Sequence, residues 1–430
     1  MSITIDKQTL ERLGFVRSLS VPVLLESSHA TLSRPDLLRN IRPHCEDSLV
    51  KVLTGLRRSG KSSLLRLIAA DTAQKLDLPK EDFLFLDFED SSLRRLTRPE
   101  ILHDYIAEKA KGARKRLTVF LDEVRTVESW EKVVRSLQDR GDCDLFVATS
   151  GADPLSGEST LLAGRTVRFE VTPYSFREFR AVRKTVCADV AEETIWRDYL
   201  AWGGMPAVTN FADVSDAKLY LIDVFRSILL SDVTARRNLR DTRALETTLA
   251  FAAERCGERL SLGDFADFLS SQRLNVSRDT IADYLRAAAD AGLLLEVEGD
   301  EPNPPLRRRP KRFLADHGFR EALSSGRNER DPEPVLKNIV LMELRRRGWR
   351  VQFGAGGKRA VDFVAEKEEE RLYVQVRSFL DSREAVERAF EPFYDIPDNR
   401  PKLVLSPDPV LRPQDGFRHE NLHEWFLKDD

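Results

Sequence analysis

Gly55-Leu56-Arg57-Arg58-Ser59-Gly60-Lys61-Ser62 constrains this chain more than any other stretch. Its spacing is G-x-x-x-x-G-K-[ST], and its setting is strand, loop, helix: the apolar run VKVLTG (50–55) precedes it and KSSLLRLIAADTAQKL (61–76) follows. Two glycines let successive backbone N–H groups curl around an oxyanion, and the helix N-terminus adds partial positive charge. The pattern therefore predicts a phosphate cradle made by Gly55, Arg57, Arg58, Ser59, Gly60, Lys61, Ser62 and Ser63. Lys61 is expected to reach the β- and γ-phosphates as a catalytic cation, and Ser62 to ligate Mg²⁺. A glycine turn with a chance lysine is the competing reading, and the strand–loop–helix context argues against it.

Three further apolar runs, DFLFLDFED (82–90), LTVFLDEV (117–124) and DLFVATS (144–150), are separated by helical patterns. Strands of this kind, buried on both faces, predict a parallel sheet in an α/β core of the P-loop NTPase type. The third strand ends in Asp122-Glu123. A carboxylate at a strand tip suits the Mg²⁺ shell, hence Asp122; its neighbour Glu123 suits the base that orients water. Such a pair can also be merely a solvated strand end. Thr149-Ser150 closes the next strand. Ser150 is expected to sense the γ-phosphate, although Ser and Thr are ordinary turn residues there.

At 430 residues the chain has room for about three domains. Lys and Arg number 68 against 71 Asp and Glu, so a wholly basic nucleic-acid coat is excluded and any basic surface is local. No apolar run nears the roughly 20 residues of a membrane span, and MSITIDKQTL lacks a signal core. Cys45, Cys143, Cys187 and Cys256 are scattered, which argues against disulfides and Cys-based zinc. A cytoplasmic protein is expected. Its segments read as an N-terminal arm (1–30), the ATPase core (31–175), a helical lid (176–240), a winged helix (241–300), a basic linker (301–312) and a further α/β domain (313–430).

LTGLRRSGKSSLL, VFLDEVRTVESWEKVVRSL, LLAGRTVRFEVTPYSFREF and YLAWGGMPAV occur in that order. The string resembles prokaryotic AAA-superfamily ATPases that carry a C-terminal restriction-endonuclease-like domain of unknown function, from about residue 30 onward. The resemblance implies ATP and Mg²⁺ as cofactors and a P-loop core with lid, winged helix and nuclease-like domain. It also implies that Arg165, in the AGR segment, contacts the γ-phosphate in cis or across a subunit boundary, and that Pro206 of GGMP packs on the base. A homo-oligomeric ring is compatible with a trans arginine. Where the family usually has glutamine this chain has Arg125.

Residues 241–300 read as helix, turn, helix, wing, with Ser277 or Asn275 as cap and Ile281, Tyr284, Leu285 and Ala288 as the buried stripe. Six arginines face twelve acidic residues there, so the module is a poor DNA reader by itself and a packing or relay role is favoured. Better phosphate contacts are Arg236, Arg237, Arg240 and Arg243, the linker's Arg307, Arg308, Arg309, Lys311 and Arg312, and Arg345, Arg346 and Arg347. Charge runs are also common solvated faces.

In the nuclease-like domain the metal residues would be Glu343, Asp362, Gln375 and Arg377. Gln375 is neutral and Arg377 is no base at neutral pH. Lys337 and Ala360 replace further acidic residues of the family, so a degenerate centre is expected. His419-Glu420-Asn421-Leu422-His423 fits H-E-x-x-H but lacks the long helix a zinc site needs. Two purposes follow: an ATP-hydrolysing protein that couples nucleotide state to DNA binding or remodelling, or a signal-transducing switch that recruits a protein partner in defence or toxin control. An ATPase-controlled, metal-dependent nuclease is a further alternative.

Overall fold

The computed structural model describes residues 34–77, 79–151, 160–234, 241–300, 310–323, 331–354 and 360–428. The expected arm (1–30), Arg236, Arg237, Arg240 and the linker's Arg307, Arg308 and Arg309 lie outside them. One unit comprises the chain to Thr172 with Ala181–Ala188; the other comprises Pro173–Arg180 and Asp189 onward.

The first unit opens with α1 (Pro35–Ile41), β1 (Val50–Thr54), α2 (Lys61–Lys75), β2 (Phe83–Asp87) and α3 (Pro99–Gly112). It continues with β3 (Leu117–Asp122), α4 (Trp130–Arg140), β4 (Cys143–Ala148) and β5 (Thr166–Glu170). The strands are all parallel, in the order β2-β3-β4-β1-β5. Every residue of β1, β3 and β4 is buried, as strands covered on both faces must be. Their side chains alternate: Val52, Val119, Leu121 and Val147 join the core that includes α3 and α4, while Leu53, Phe120 and Phe146 join α2. Lys51 is the polar exception; it is buried and paired with Asp144 of β4.

The second unit contains α5 (Phe176–Val186, whose last residues belong to the first unit), α6 (Glu192–Trp202) and α7 (Val214–Ile228). Next come α8 (Thr242–Glu254), α9 (Leu262–Ser271), α10 (Arg278–Asp290), β6 (Leu294–Val297) and β7 (Lys311–Leu314). Ser277 accepts from the Thr280 N–H at 3.1 Å and caps α10, whose Ile281, Tyr284, Leu285 and Ala288 are buried as expected. β6 and β7 form an antiparallel pair. Lys311 and Arg312 therefore sit in a strand, not in the linker where sequence reading put them. Arg312 is also spoken for: its Nε donates to Glu296 at 2.9 Å.

The remainder is α11 (Gly318–Leu323), α12 (Glu333–Arg346), β8 (Arg350–Gln352), β9 (Phe363–Lys367), β10 (Glu370–Val376), α13 (Arg383–Tyr394), β11 (Lys402–Ser406), β12 (Arg418–Asn421) and α14 (Leu422–Leu427). Its sheet runs β12-β11-β10-β9-β8, antiparallel from β8 to β10 and parallel from β10 to β12.

GGMP has a packing role in this unit. Gly204 N–H donates to Asp316 at 2.7 Å, and a Cβ on Gly204 would lie 2.2 Å from the Tyr174 carbonyl oxygen. Gly203 has φ +76°, a backbone conformation open mainly to glycine. Next to Asp316, His317 Nε2 donates to the Tyr199 carbonyl at 2.6 Å. Burial pushes the Asp316 carboxyl up to about 6, against the N–H donors Gly204 and Gly318. Burial likewise pushes His317 down to about 4. The folded state holds the Asp316 proton more tightly than the unfolded chain, so this contribution to stability falls as pH rises from about 4 to 6. His317 binds its proton less tightly when folded, so its contribution rises over the same range. The two slopes oppose each other. Asp316→Asn should leave stability climbing with pH across that window and His317→Gln should leave it falling, each by at most about 1.4 kcal/mol per pH unit, as read by thermal melts.

Candidate nucleotide site

The loop leaves the carboxyl end of β1 at Gly55, whose N–H donates to Gly151 O while Gly151 N–H returns a bond to Gly55 O, both 3.0 Å. Gly55 has φ +143°, and a Cβ there would lie 2.3 Å from the Val171 carbonyl oxygen. Gly60, at φ 98°, turns the loop into α2. Buried Lys61 donates to Gly55 O at 3.2 Å and Leu56 O at 2.9 Å, curling the loop around its own ammonium. Ser59 is buried and its Oγ has no hydrogen-bond partner among the described residues. Arg57 reaches Glu89 at 3.4 Å, Arg58 is exposed at φ 64°, and Ser63 is exposed on the first turn of α2.

Opposite the loop, Ser62 Oγ donates to Asp122 Oδ1 at 3.1 Å. Glu123, at φ 48°, accepts from Ser150 Oγ at 2.7 Å on the next strand tip. Arg125 donates to Ser150 O at 2.6 Å. Burial pushes Asp122 up to about 6; Ser62 and Arg66 work against this, and Asp87 and Glu123 reinforce it. A divalent cation would relieve that crowding of carboxylates. The orphaned Ser59 hydroxyl, the glycine turns and the Ser62–Asp122 pair thus fit a Mg²⁺-bound polyphosphate.

Residues 47–180 match the AAA domain family, and residues 193–330 match a domain of unknown function. An uncharacterized Haemophilus influenzae protein is 31% identical over 93% of this chain and 100% of its own length. The chain belongs to the AAA-domain ATPase family. An uncharacterized Methanocaldococcus jannaschii protein is 26% identical over 76% of this chain and 73% of its own length. Thermotoga maritima RuvB, a Holliday junction branch migration motor, superposes with a TM-score of 0.34 at 14% identity, covering 66% of this chain and 92% of that one. A superposition that loose adds nothing to the local geometry.

The AAA core contains site residues that sequence reading missed. Arg34 is buried and donates to Thr172 O at 2.9 Å and Ser59 O at 3.4 Å, tying the loop to the end of β5. Arg66 pairs with Asp87 at 2.6 Å, and Asp87 is the register partner of Asp122. The only sequence signal for that pair was the acidic end of the second strand.

Arg165 requires a correction. Its carbonyl accepts from Val50 N–H, and Val50 pairs with Thr166 at the amino end of β1. The loop leaves the other end, roughly 16 Å away for five strand residues. Arg165 is ion-paired with Asp139 there, so a contact with its own chain's nucleotide is excluded. Pro206, in the second unit, opens the 3₁₀ turn Pro206–Asn210.

The presumed nuclease quartet does not assemble whole. Asp362 accepts from Lys337 at 2.8 Å and Arg377 at 3.1 Å, and Gln375 accepts from the Asp362 N–H at 2.9 Å. Glu343 lies six residues beyond Lys337, on another side of α12. It is held by Arg346 at 3.3 Å and Arg347 at 3.0 Å. These two arginines, expected as phosphate contacts, also donate to the carbonyls of Pro173 and Trp425. His419 is on β12, with Ser406 at 2.8 Å and the Arg412 N–H at 2.8 Å, whereas His423 is on α14 against Phe176 and Trp196. The two histidines share no helix. Among the described residues no group of three or more His, Cys, Asp or Glu could hold a metal.

Arg34→Met should leave the Ser59 and Thr172 carbonyls without their charged donor. The expected cost is about 1–3 kcal/mol in thermal or urea unfolding, with weaker nucleotide binding in an equilibrium titration.

Proposed function

We propose that this AAA-domain protein binds ATP with Mg²⁺ at Gly55–Ser63, hydrolyses it, and couples its nucleotide state to DNA binding or remodelling. The observation that carries the reading is the linked chain Ser62–Asp122 and Glu123–Ser150 beneath the loop. Lys61 would exchange its loop carbonyls for phosphate oxygens. Ser62 and Asp122 would hold Mg²⁺, whose chemistry is to neutralise charge on the transferred phosphoryl group. Glu123, held by Ser150, would orient the attacking water. Ser150 would then report the γ-phosphate to the loop through Gly151. Pro206 is assigned to the base. Arg165 can serve catalysis only from a neighbouring copy, which makes a homo-oligomer part of the proposal.

The three helices and the antiparallel β6–β7 pair support the winged-helix reading of 241–300, and the mixed five-stranded sheet supports a degenerate restriction-endonuclease-like domain. Nuclease activity is not proposed, because Lys337 and Arg377 occupy the carboxylate that a metal would need. A cytoplasmic setting accords with the lack, among the described residues, of any helix long and apolar enough to cross a membrane. DNA contact is assigned to the linker arginines and exposed Arg243. The acidity of residues 241–300 favours a second reading, in which ATP locks a conformation that recruits a protein.

Lys61→Ala should abolish nucleotide binding or turnover, whereas Glu123→Gln should bind ATP normally and hydrolyse it about 10²-fold or more slowly. An E123Q variant with wild-type turnover would dismiss Glu123 as the water-orienting group. Ser150→Ala should lower kcat about tenfold with little change in nucleotide affinity. Duplex DNA should raise ATP turnover several-fold and bind less tightly as salt rises. Inert DNA together with nucleotide-dependent assembly would instead favour the switch.

A further inference from the structure

The surroundings of Asp362 are built from cations. Lys337 Nζ lies 2.8 Å from Asp362 Oδ1 and 2.7 Å from Glu333 Oε1, and so occupies the place between two carboxylates that a divalent metal would take. Arg377 Nη1 bridges the same two residues at 3.1 and 3.3 Å. Both cations keep about a fifth of their side chains exposed, 20% for Lys337 and 22% for Arg377, so a ligand can reach them.

Lys311 of β7 faces this group. Its Nζ lies 5.0 Å from the Phe353 ring centroid, and Arg259, bridged to Lys311 through the backbone, lies over the same ring at 4.3 Å. Among the described residues the Lys311 ammonium makes no hydrogen bond or ion pair. Burial pushes its ammonium below the usual lysine range; Asp362 pulls it back up, and Lys337, Arg259 and Arg377 press it further down. Asp362 itself is held low: burial would raise it, and Lys337 and Arg377 more than offset that. Three cations, Lys311, Lys337 and Arg377, thus share two carboxylates. The unmatched charge is positive and partly desolvated, which disfavours a divalent cation and favours an oxyanion.

We infer that Lys311, Lys337 and Arg377 form a metal-independent phosphate site, at which the nuclease-like domain grips the phosphodiester backbone of nucleic acid without cutting it. Only the choice of nucleic acid as the source of the phosphate rests on the DNA reading above. Asp362 then serves to position Lys337 and Arg377 and ligates no metal. Losing or neutralising the carboxylate should therefore strengthen binding, the reverse of its effect in a metal centre.

The test uses the full chain without nucleotide, a fluorescein-labelled duplex of mixed sequence, and anisotropy titrations in EDTA and in Mg²⁺. A second titration follows inorganic phosphate by calorimetry in the Lys61→Ala background, which removes the nucleotide loop as a competitor. Lys311→Met keeps the stem against Phe353 and should weaken DNA binding about tenfold, lowering the slope of log affinity against log salt by about one. Asp362→Asn should bind as tightly as wild type or several-fold tighter, and EDTA should change nothing. Thermal melts establish that both variants are folded. Binding that needs Mg²⁺, or that Asp362→Asn abolishes while folded, overturns the inference in favour of a metal centre. Tight DNA binding unaffected by Lys311→Met overturns it while leaving the DNA reading standing. Phosphate bound and lost on Lys311→Met, with no DNA bound, supports the site and sinks the DNA reading instead. Neither phosphate nor DNA bound overturns both.

Discussion

One hydrogen bond, Ser62 Oγ to Asp122 Oδ1 at 3.1 Å, joins parts of the chain sixty residues apart, and the candidate chemistry depends on it. It requires β1 and β3 to end at the same level with β4 between them, which the parallel register provides. It also requires the loop to turn sharply, which the positive φ angles of Gly55 and Gly60 allow. Asp122 is buried among Asp87 and Glu123 and balanced by Arg66 and Ser62. That is a site with too much negative charge for its own donors, opposite a loop with an unused hydroxyl.

The second unit resolves its buried charges differently. Asp316 is neutralised by backbone N–H groups from two glycines, and its high proton affinity is the cost of burial. Glu343 is enclosed by Arg346 and Arg347, which spend further donors on backbone carbonyls. Around Asp362 the balance overshoots, leaving Lys311 without a carboxylate of its own. The strands of this sheet are set by apolar packing, whereas the charge balance around Asp362 is set by a few partly buried side chains.

Much of the first unit was legible in the chain. Buried parallel strands read as unbroken apolar runs, and the loop's spacing is dictated by the shape of a phosphate tail, so β1 to β4, α2 and the Lys61, Ser62, Asp122 and Glu123 cluster could be anticipated. The cap and apolar stripe of α10 were equally plain, since both follow helical periodicity. Arg34 was not legible, because its partners are backbone carbonyls that become neighbours only on folding. Which of its two readings, cis or trans, Arg165 could take was not legible for a related reason. A motif tells which residue is present, and strand direction tells which end of the sheet it occupies. Glu343 failed on helical phase: six residues from Lys337 is a different face.

The sequence by itself determined the parallel core, the loop and the acidic strand tip, because local periodicity and residue chemistry suffice for these. Tertiary structure alone decided that GGMP packs on Asp316, that the strand paired with β6 begins at Lys311, and that Lys311, Lys337 and Arg377, from separate segments, gather around Asp362. Those outcomes depend on which groups pair once water is excluded, and pairing between segments as far apart as Gly204 and Asp316 leaves no periodic trace in the chain.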